Sequence, residues 1–240
     1  MTTAVQPPHP DSRASRCLLP GLLLLAWFAP SPALAACTDA PRAGVDWSGC
    51  EKRRLVLRNS DLRDARFVGA DMGRTDLASA NLAGTDLSKA SIDHARLSSV
   101  DLSRAKLVQA NGYRANFSGA KLAGADLSKS EFSRATFSQA DFTGANLEKA
   151  DLHRASLRGA NLAGANMTGT DLARADLVQA RLGGTILAQA DLGLARLEGL
   201  DLSGTRGLVQ AQLDSACGDS QTRLPKGLNR PAAWPCKQQN

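Results

Sequence analysis

Few residues in this chain could carry out chemistry, and their spacing does not suit catalysis or metal binding. His94 and His153 are the only histidines after residue 35. The aspartates recur at a fixed interval instead of forming isolated acid–base pairs. The chain contains no G-x-S-x-G sequence, phosphate-binding loop or zinc motif. We therefore predict a non-enzymatic protein without cofactor or metal site.

The cysteines offer a second kind of chemistry, and the N-terminal sequence decides which of them remain. Arg13 and Arg16 precede an apolar run from Leu18 to Phe28, and a small-residue stretch ending at Ala35 follows. This order is typical of a cleaved secretory signal peptide. We predict a signal peptide over residues 1–35, export to the periplasm or the extracellular space, and no transmembrane helix in the mature form.

Removal of the signal peptide also removes Cys17 and leaves four cysteines: Cys37, Cys50, Cys217 and Cys236. An even number in an exported chain predicts disulfides. Their spacing matches no zinc-binding CxxC pair. The alternative is that Leu34–Cys37 acts as a bacterial lipobox, which would attach lipid to Cys37 and leave Cys50 without a partner. We favour the soluble form because the two prolines before the cleavage site suit ordinary signal peptidase.

The mature chain carries a small excess of positive charge. Loss of Arg13, Arg16 and Asp11 lowers the 29 basic and 23 acidic residues by two and one, so the net charge becomes +5. This balance is compatible with anionic partners and argues against an acidic mimic of nucleic acid.

Most of the chain is a five-residue repeat. An apolar residue returns at every fifth position from Leu57 to Leu202, with Gly112 as the exception. We term this the central position. A small residue usually lies two residues before it, and Asp or Asn often lies directly before it, as in Asp76-Leu77. A period of five fits neither an α-helix nor a flat strand, and it predicts a chain that turns a corner after each short extended step.

This A(D/N)Lxx pattern resembles the pentapeptide-repeat family over most of the mature chain. The resemblance implies an all-β fold, a right-handed quadrilateral β-helix with four pentapeptides per coil and about 7.5 coils. At ~4.8 Å per coil the rod would be roughly 36 Å long. The predicted segments are the signal peptide (1–35), an N-terminal cap (36–56), the β-helix (57–207) and a C-terminal cap (208–240).

The caps are rich in Pro, Gly, Cys and Trp, and the second contains a short helix-like stretch, residues 209–216. In a rod of this length the two ends lie tens of Å apart, whereas a disulfide needs Cα atoms within about 7 Å. The implied fold therefore favours disulfides within each cap, Cys37–Cys50 and Cys217–Cys236.

With four pentapeptides per coil, residues 20 apart share a face. One corner carries mostly glycine, which predicts a positive φ as in a type II turn: Gly84, Gly124, Gly144, Gly164, Gly184 and Gly204, interrupted by Arg104. Another carries a basic ladder: Arg74, His94, Arg114, Arg134, Arg154 and Arg174. A mostly acidic column runs beside this ladder: Asp71, Ser91, Asn111, Glu131, Asp151, Asp171 and Asp191.

Two interpretations of the ladder follow. In the first it is a solvated face whose charges are offset by the neighbouring carboxylates. In the second it presents regularly spaced guanidinium groups to an anionic polymer or a partner protein.

Gly112 leaves a gap in the column of central side chains, and four larger residues follow it closely. We predict that they fill the gap, with the first and third stacked on each other: Phe117, Phe132, Phe137 and Phe142. The alternative is that Tyr113 turns inward.

These features predict a non-catalytic structural or interaction scaffold of the cell envelope or extracellular space. Its expected partner is an unidentified protein or an anionic envelope polymer, not nucleic acid, and a homodimer through an end cap is a further expectation. The alternative is an envelope lipoprotein anchored at Cys37. The resemblance also implies a third function, an acidic rod that mimics DNA and acts on a topoisomerase, which the export signal and basic balance disfavour.

Mass spectrometry of the mature N-terminus tests the predicted export route. We expect Ala36 as the first residue and four oxidised cysteines. A diacylglyceryl group on Cys37 would contradict the soluble form.

Overall fold

The computed structural model describes residues 37–236, which form a stack of four-sided coils. The predicted signal peptide and Cys17 lie outside the described residues. Isolated parallel bridges join residues 20 positions apart, from Asp46↔Arg66 to Ile186↔Arg206. The predicted four pentapeptides per coil are therefore confirmed. The described residues contain one helix, α1, at Gln210–Ser215.

We number the four sides in chain order by their central residues, each column rising in steps of twenty. Side 1 runs from Phe67 to Leu187, side 2 from Met72 to Leu192, side 3 from Leu77 to Leu197 and side 4 from Leu82 to Leu202. Sides 1 and 3 are opposite each other, as are sides 2 and 4.

The central residue and the small residue two before it both point inward. The central residues and small residues of the repeat are buried almost without exception. Each buried Leu contributes about 1.5–3 kcal/mol relative to exposure, so the columns supply the main stabilisation of the rod. Backbone bonds tie the coils together: Leu97 N–H donates to the carbonyl of Asn116 (2.7 Å), and Asn116 N–H donates to that of Ala95 (2.9 Å).

The corners are type II turns on all four edges of the rod. The N–H of Ala115 donates to the carbonyl of Gly112 (3.0 Å), and φ is positive at every fifth residue from Gly44 to Gly199. The prediction of positive φ at the glycine corner was right except at Gly204, but it was too narrow, since Arg104 has a φ of 58°. The turn geometry imposes this conformation, so residues with a Cβ adopt it too.

Phe132 fills the gap at Gly112, and the predicted stacking of Phe117 on Phe137 is confirmed. A Cβ on Gly112 would collide with the ring of Phe132. Phe117 and Phe137 stack with centroids 4.7 Å apart and planes 15° apart, and Phe132 meets both rings edge-on at 5.4 and 5.6 Å. Tyr113 packs instead against His94 on the surface, so the alternative of an inward tyrosine is wrong.

The N-terminal end closes with residues that break the repeat pattern. The first bridge is at Asp46, so the coils begin inside the range 36–56 that we predicted as a cap. Trp47 takes a central position and packs on Phe67, with ring centroids 5.6 Å apart. Lys52 takes the next one, where its ammonium lies 3.9 Å from the Trp47 ring centroid and donates to the Cys37 carbonyl. A lysine suits this position because its stem covers the core while its charge reaches the open end.

At the C-terminal end, α1 replaces side 2 of the last coil. Its Gln212 amide donates to the carbonyls of Leu187 and Ala190, at 2.8 Å each, and the second of these is the group that a further coil would bind. The Trp234 indole N–H donates to the Ala216 carbonyl at 2.7 Å.

Both predicted disulfides are present. Cys37 and Cys50 have Cα atoms 5.5 Å apart, and those of Cys217 and Cys236 are 5.3 Å apart. Each disulfide therefore closes a loop within one end of the rod.

We expect Gly112→Ala to lower the free energy of unfolding by about 1–3 kcal/mol, because the added methyl group has no space beside Phe132. The double variant Gly112→Leu/Phe132→Leu should recover most of that loss, since it restores a regular column. Urea unfolding followed by circular dichroism measures both. Gly183→Ala is the control, since its Cβ would meet no atom within 4 Å. If Gly112→Leu and Phe132→Leu have additive effects on the free energy of unfolding, Phe132 does not fill the space at Gly112.

Candidate functional site: the basic corner

The predicted basic ladder lies on the corner between sides 2 and 3, which we term the basic corner. Its six residues are all exposed, with φ between 55° and 59°: Arg74, His94, Arg114, Arg134, Arg154 and Arg174. The same column begins one coil earlier, at Arg54 (φ 58°), and ends at the apolar Leu194. Arg54 was not predicted because the apolar pattern starts at Leu57, although the five-residue phase extended upstream reaches it.

The corner arginines do not form ion pairs. Within residues 37–236, no carboxylate oxygen lies within 4.0 Å of a basic-corner side chain. Arginines elsewhere in the pentapeptide do pair: Arg58 contacts Asp76 at 2.6 Å, and Arg158 contacts Asp176 at 2.9 Å. Charge offset by direct contact with the neighbouring acidic column is therefore absent at this corner.

The acidic column of side 2 is committed to its own turns. Asp151 accepts a hydrogen bond from the N–H of His153 (2.8 Å) and another from the Ser133 hydroxyl (2.7 Å). Asp171 accepts one from the N–H of Ala173 (2.8 Å). These are Asx-type turns, in which a short polar side chain bonds the backbone two residues on. The aspartates of this column therefore face the backbone and not the corner.

The pKa of Asp71 shows how these bonds affect a carboxylate of the acidic column. Burial raises the pKa of Asp71, but the N–H of Gly73 and the guanidinium of Arg53 outweigh that effect and hold it below its usual value of 3.8. This Arg53 lies one coil earlier at a different position of the pentapeptide. Asp71 is thus ionised at neutral pH and already bonded, so it does not neutralise Arg74.

A second row of cations borders side 2 on its other edge, between sides 1 and 2. It consists of Lys89, Lys129 and Lys149, which are exposed and have φ values of 60°, 58° and 57°. Their backbone position is that of the corner arginines, in the same part of the rod. Lys149 lies 3.4 Å from Glu148, so the row offers a comparison that is matched in backbone position and charge but not in pairing.

Tyr113, the chain's single tyrosine, lies on the surface next to the basic corner. Its ring meets His94 edge-on at 5.7 Å, and the Arg114 guanidinium carbon lies 5.3 Å from its centroid. A shallow groove of about 280 Å³ runs beside it, lined by Asn111, Tyr113, Glu131, Ser133 and Asp151. The sequence-based alternative placed Tyr113 in the core. A signal for its surface position was present, because the other Phe, Trp and Tyr residues of the repeat occupy central positions and Tyr113 follows one.

The described part of the chain offers no arrangement for metal binding. Within residues 37–236, no three His, Cys, Asp or Glu side chains are placed to hold one metal ion. His94 and His153 lie at different levels of side 2, and the first packs on Tyr113. What the corner can do chemically is bind anions with unpaired guanidinium groups.

No α-helix within residues 37–236 combines the length and apolar character needed to cross a membrane.

The triple variant Arg114→Ser/Arg134→Ser/Arg154→Ser should change the free energy of unfolding by less than about 0.5 kcal/mol, because the lost side chains are exposed and unpaired. Serine is accepted at such corners, as Ser79 and Ser99 show. Asp151→Ala, by contrast, should cost about 1 kcal/mol because it leaves the His153 N–H without its acceptor. Urea titrations compare the two. Equal losses would show that the corner arginines serve stability.

Comparison with known proteins agrees with this geometry. The family model for pentapeptide repeats matches the chain in eight copies, in overlapping segments between residues 56 and 206. No curated protein sequence matches the chain. Proteins of this family are right-handed quadrilateral β-helices, as we predicted for this chain.

Among solved structures, the chain is similar to HetL, a pentapeptide repeat protein involved in heterocyst differentiation regulation from the cyanobacterium Nostoc. The two are 30% identical over 78% of this chain and 93% of HetL, with a TM-score of 0.32. A thylakoid-lumen pentapeptide repeat protein from Arabidopsis thaliana is 31% identical over 40% of this chain and 63% of its own, with a TM-score of 0.33.

The plasmid-mediated fluoroquinolone resistance protein QnrB1 is 17% identical over 78% of this chain and 93% of its own, with a TM-score of 0.40. The repeat match from residue 56 to residue 206 and the identity to HetL show that this chain belongs to the pentapeptide-repeat family.

Proposed function

We propose that the protein is a non-catalytic scaffold of the cell envelope or extracellular space that binds an anionic partner through the basic corner. The observation that carries this proposal is the lack of ion pairs at that corner within the described residues. An exposed guanidinium without a carboxylate partner binds an anion without first losing an internal contact. Stacked coils place such groups ~4.8 Å apart in a straight row, which suits an extended polyanion.

Two observations support export. The first 35 residues have the order of a signal peptide. Both ends of the rod are closed by disulfides, Cys37–Cys50 and Cys217–Cys236, and such bonds persist in oxidising compartments. The bond of Cys37 to Cys50 also favours the soluble form over a lipoprotein, because lipidation would use the Cys37 sulfur.

The basic balance of the chain argues against the third function, the acidic rod that mimics DNA. A DNA mimic needs a surface of closely spaced negative charge, whereas the longest charged row of this rod is positive. We therefore do not extend the function of any relative to this chain.

The test uses the full chain and envelope material separated into membranes, cell-surface glycan and soluble exported proteins. We expect one fraction to bind the protein, and the triple variant Arg114→Ser/Arg134→Ser/Arg154→Ser to weaken this binding at least about tenfold, since each charge-assisted contact contributes about 1.5–3 kcal/mol. Raised salt should weaken it as well.

The matched control is Lys89→Ser/Lys129→Ser/Lys149→Ser, which removes the same charge from equivalent backbone positions. This control should retain most of the binding. If the arginine and lysine variants bind equally, net charge and not the basic corner is responsible, and the proposal is wrong. Size-exclusion chromatography of the same samples would test the predicted homodimer.

A further inference from the structure

The two sides that meet at the basic corner differ in charge. Side 3 has an Asp before its central residue at Asp76 and again at Asp176. Between those two levels, across four coils, the outward positions of side 3 and of its following corner include no carboxylate: Arg96, Ser98, Ser99, Asn116, Ser118, Gly119, Thr136, Ser138, Gln139, Ser156, Arg158 and Gly159. We term this surface the hydroxyl-rich strip.

Side 2 has the opposite character at the same levels. It carries Asp93, Glu131 and Asp151 beside the basic corner. An anion held by Arg114 or Arg134 is therefore repelled on the side-2 flank and meets no negative charge on the side-3 flank. The charges direct an anionic ligand from the corner onto the hydroxyl-rich strip.

The carboxylates at the two ends of the strip are neutralised by arginines. Asp76 contacts Arg58 at 2.6 Å and Arg96 at 3.8 Å. Asp176 contacts Arg158 at 2.9 Å and Arg196 at 3.2 Å. The strip is thus bounded by paired charges and bordered along its length by His94 and by guanidinium groups that have no carboxylate partner among the described residues.

The strip offers neutral hydrogen-bonding groups in rows along the rod. Asn116 Oδ1 accepts hydrogen bonds from the backbone N–H and the hydroxyl of Ser118 (2.9 and 2.7 Å). These bonds do not use the amide N–H groups of Asn116, which are available to a ligand. The Ser138 and Ser156 hydroxyls lie 3.1 Å apart across two coils. Such groups both donate and accept, as the hydroxyls of a sugar do.

The same surface lacks what other polyanion partners need. The large exposed apolar side chains of the described residues are Val56, Leu194 and Val209, and none lies on the strip. Protein interfaces and membrane-bound surfaces usually depend on such apolar anchors. Single-stranded nucleic acid is held by successive aromatic platforms, and phosphates of one DNA strand repeat every 3.4 Å, which does not match coils ~4.8 Å apart.

We propose that the hydroxyl-rich strip, with the basic corner along its edge, binds an extended anionic polysaccharide. The arginines contact the acid groups, and the Ser, Thr and Asn side chains contact sugar hydroxyls. This inference rests on the proposed function and names its ligand class.

The test places one negative charge on the strip without altering the turn. Asn116→Asp keeps the Oδ1 acceptor that binds the N–H of Ser118 (2.9 Å). Asn166→Asp is the control on the opposite side 1, where Oδ1 accepts from the N–H of Thr168 (3.1 Å) and the amide also donates to Asn146 (3.3 Å), so its free energy of unfolding is measured alongside. Isothermal titration calorimetry of the full chain with polygalacturonate, a carboxylated glycan, should show binding that Asn116→Asp weakens about three- to tenfold. Asn166→Asp should leave it unchanged.

Other ligands show which acid group is bound and which of the two proposals fails. Dextran sulfate replaces carboxylate by sulfate as the acid group, and neutral dextran should not bind. If both Asn variants weaken binding equally, the strip is not the site and the inference is overturned. If polygalacturonate and dextran sulfate do not bind, but polyglutamate or phosphatidylglycerol vesicles bind in a way that needs Arg114, Arg134 and Arg154, the glycan inference fails while the proposed function stands. If the arginine triple variant changes no binding, both fail.

Discussion

The structure depends on the hydrogen bond between each central N–H and the carbonyl 19 residues further along, as between Leu97 and Asn116. This bond sets the register of every coil on the next. Once it holds, residues 20 apart must stack, so any residue type that recurs at that interval becomes a straight row on the surface. The buried leucine columns, the glycine corner and the basic corner are all consequences of one register. Side-chain burial stabilises the register, because a slip of one residue would move the central residues out of the core.

The basic corner combines that register with the chemistry of the turns. The residue at each corner from Gly44 to Gly199 adopts a positive φ, and the corner residues that carry a side chain are all exposed. The Asp or Asn before each central residue uses its oxygen to accept a backbone N–H of the turn, as Asp151 does from His153. The rod therefore carries carboxylates close to its arginines and yet leaves the corner guanidinium groups unpaired within the described residues. The same turn that binds the Asp or Asn oxygen also leaves the corner side chain exposed.

The residues that depart from the repeat pattern lie at Gly112 and at the two ends of the rod, where regular stacking stops. At Gly112 the missing side chain is replaced by the ring of Phe132 from the next coil, and the stacked Phe117 and Phe137 adjust around it. At the N-terminal end Lys52 closes the core with an ammonium instead of a methyl group. At the C-terminal end α1 replaces a side, and Gln212 binds the Ala190 carbonyl, which a further coil would have bound. Each change fills a space, covers the core or binds a backbone group that the regular repeat would leave open at that point.

The sequence by itself determined the five-residue phase. The resemblance to the pentapeptide-repeat family supplied four pentapeptides per coil, and with that number the strict period predicts the two disulfide pairs and the position of the arginine row. The sequence also identified the residues that fill the gap at Gly112. It could not decide that the non-glycine corners from Arg54 to Leu194 share a positive φ, or that Arg58 pairs with Asp76 while Arg114 pairs with no carboxylate in the described chain. Those outcomes depend on the direction in which each side chain leaves the turn. Only the folded coil decides this direction, because neighbours 18 to 20 residues apart come together there.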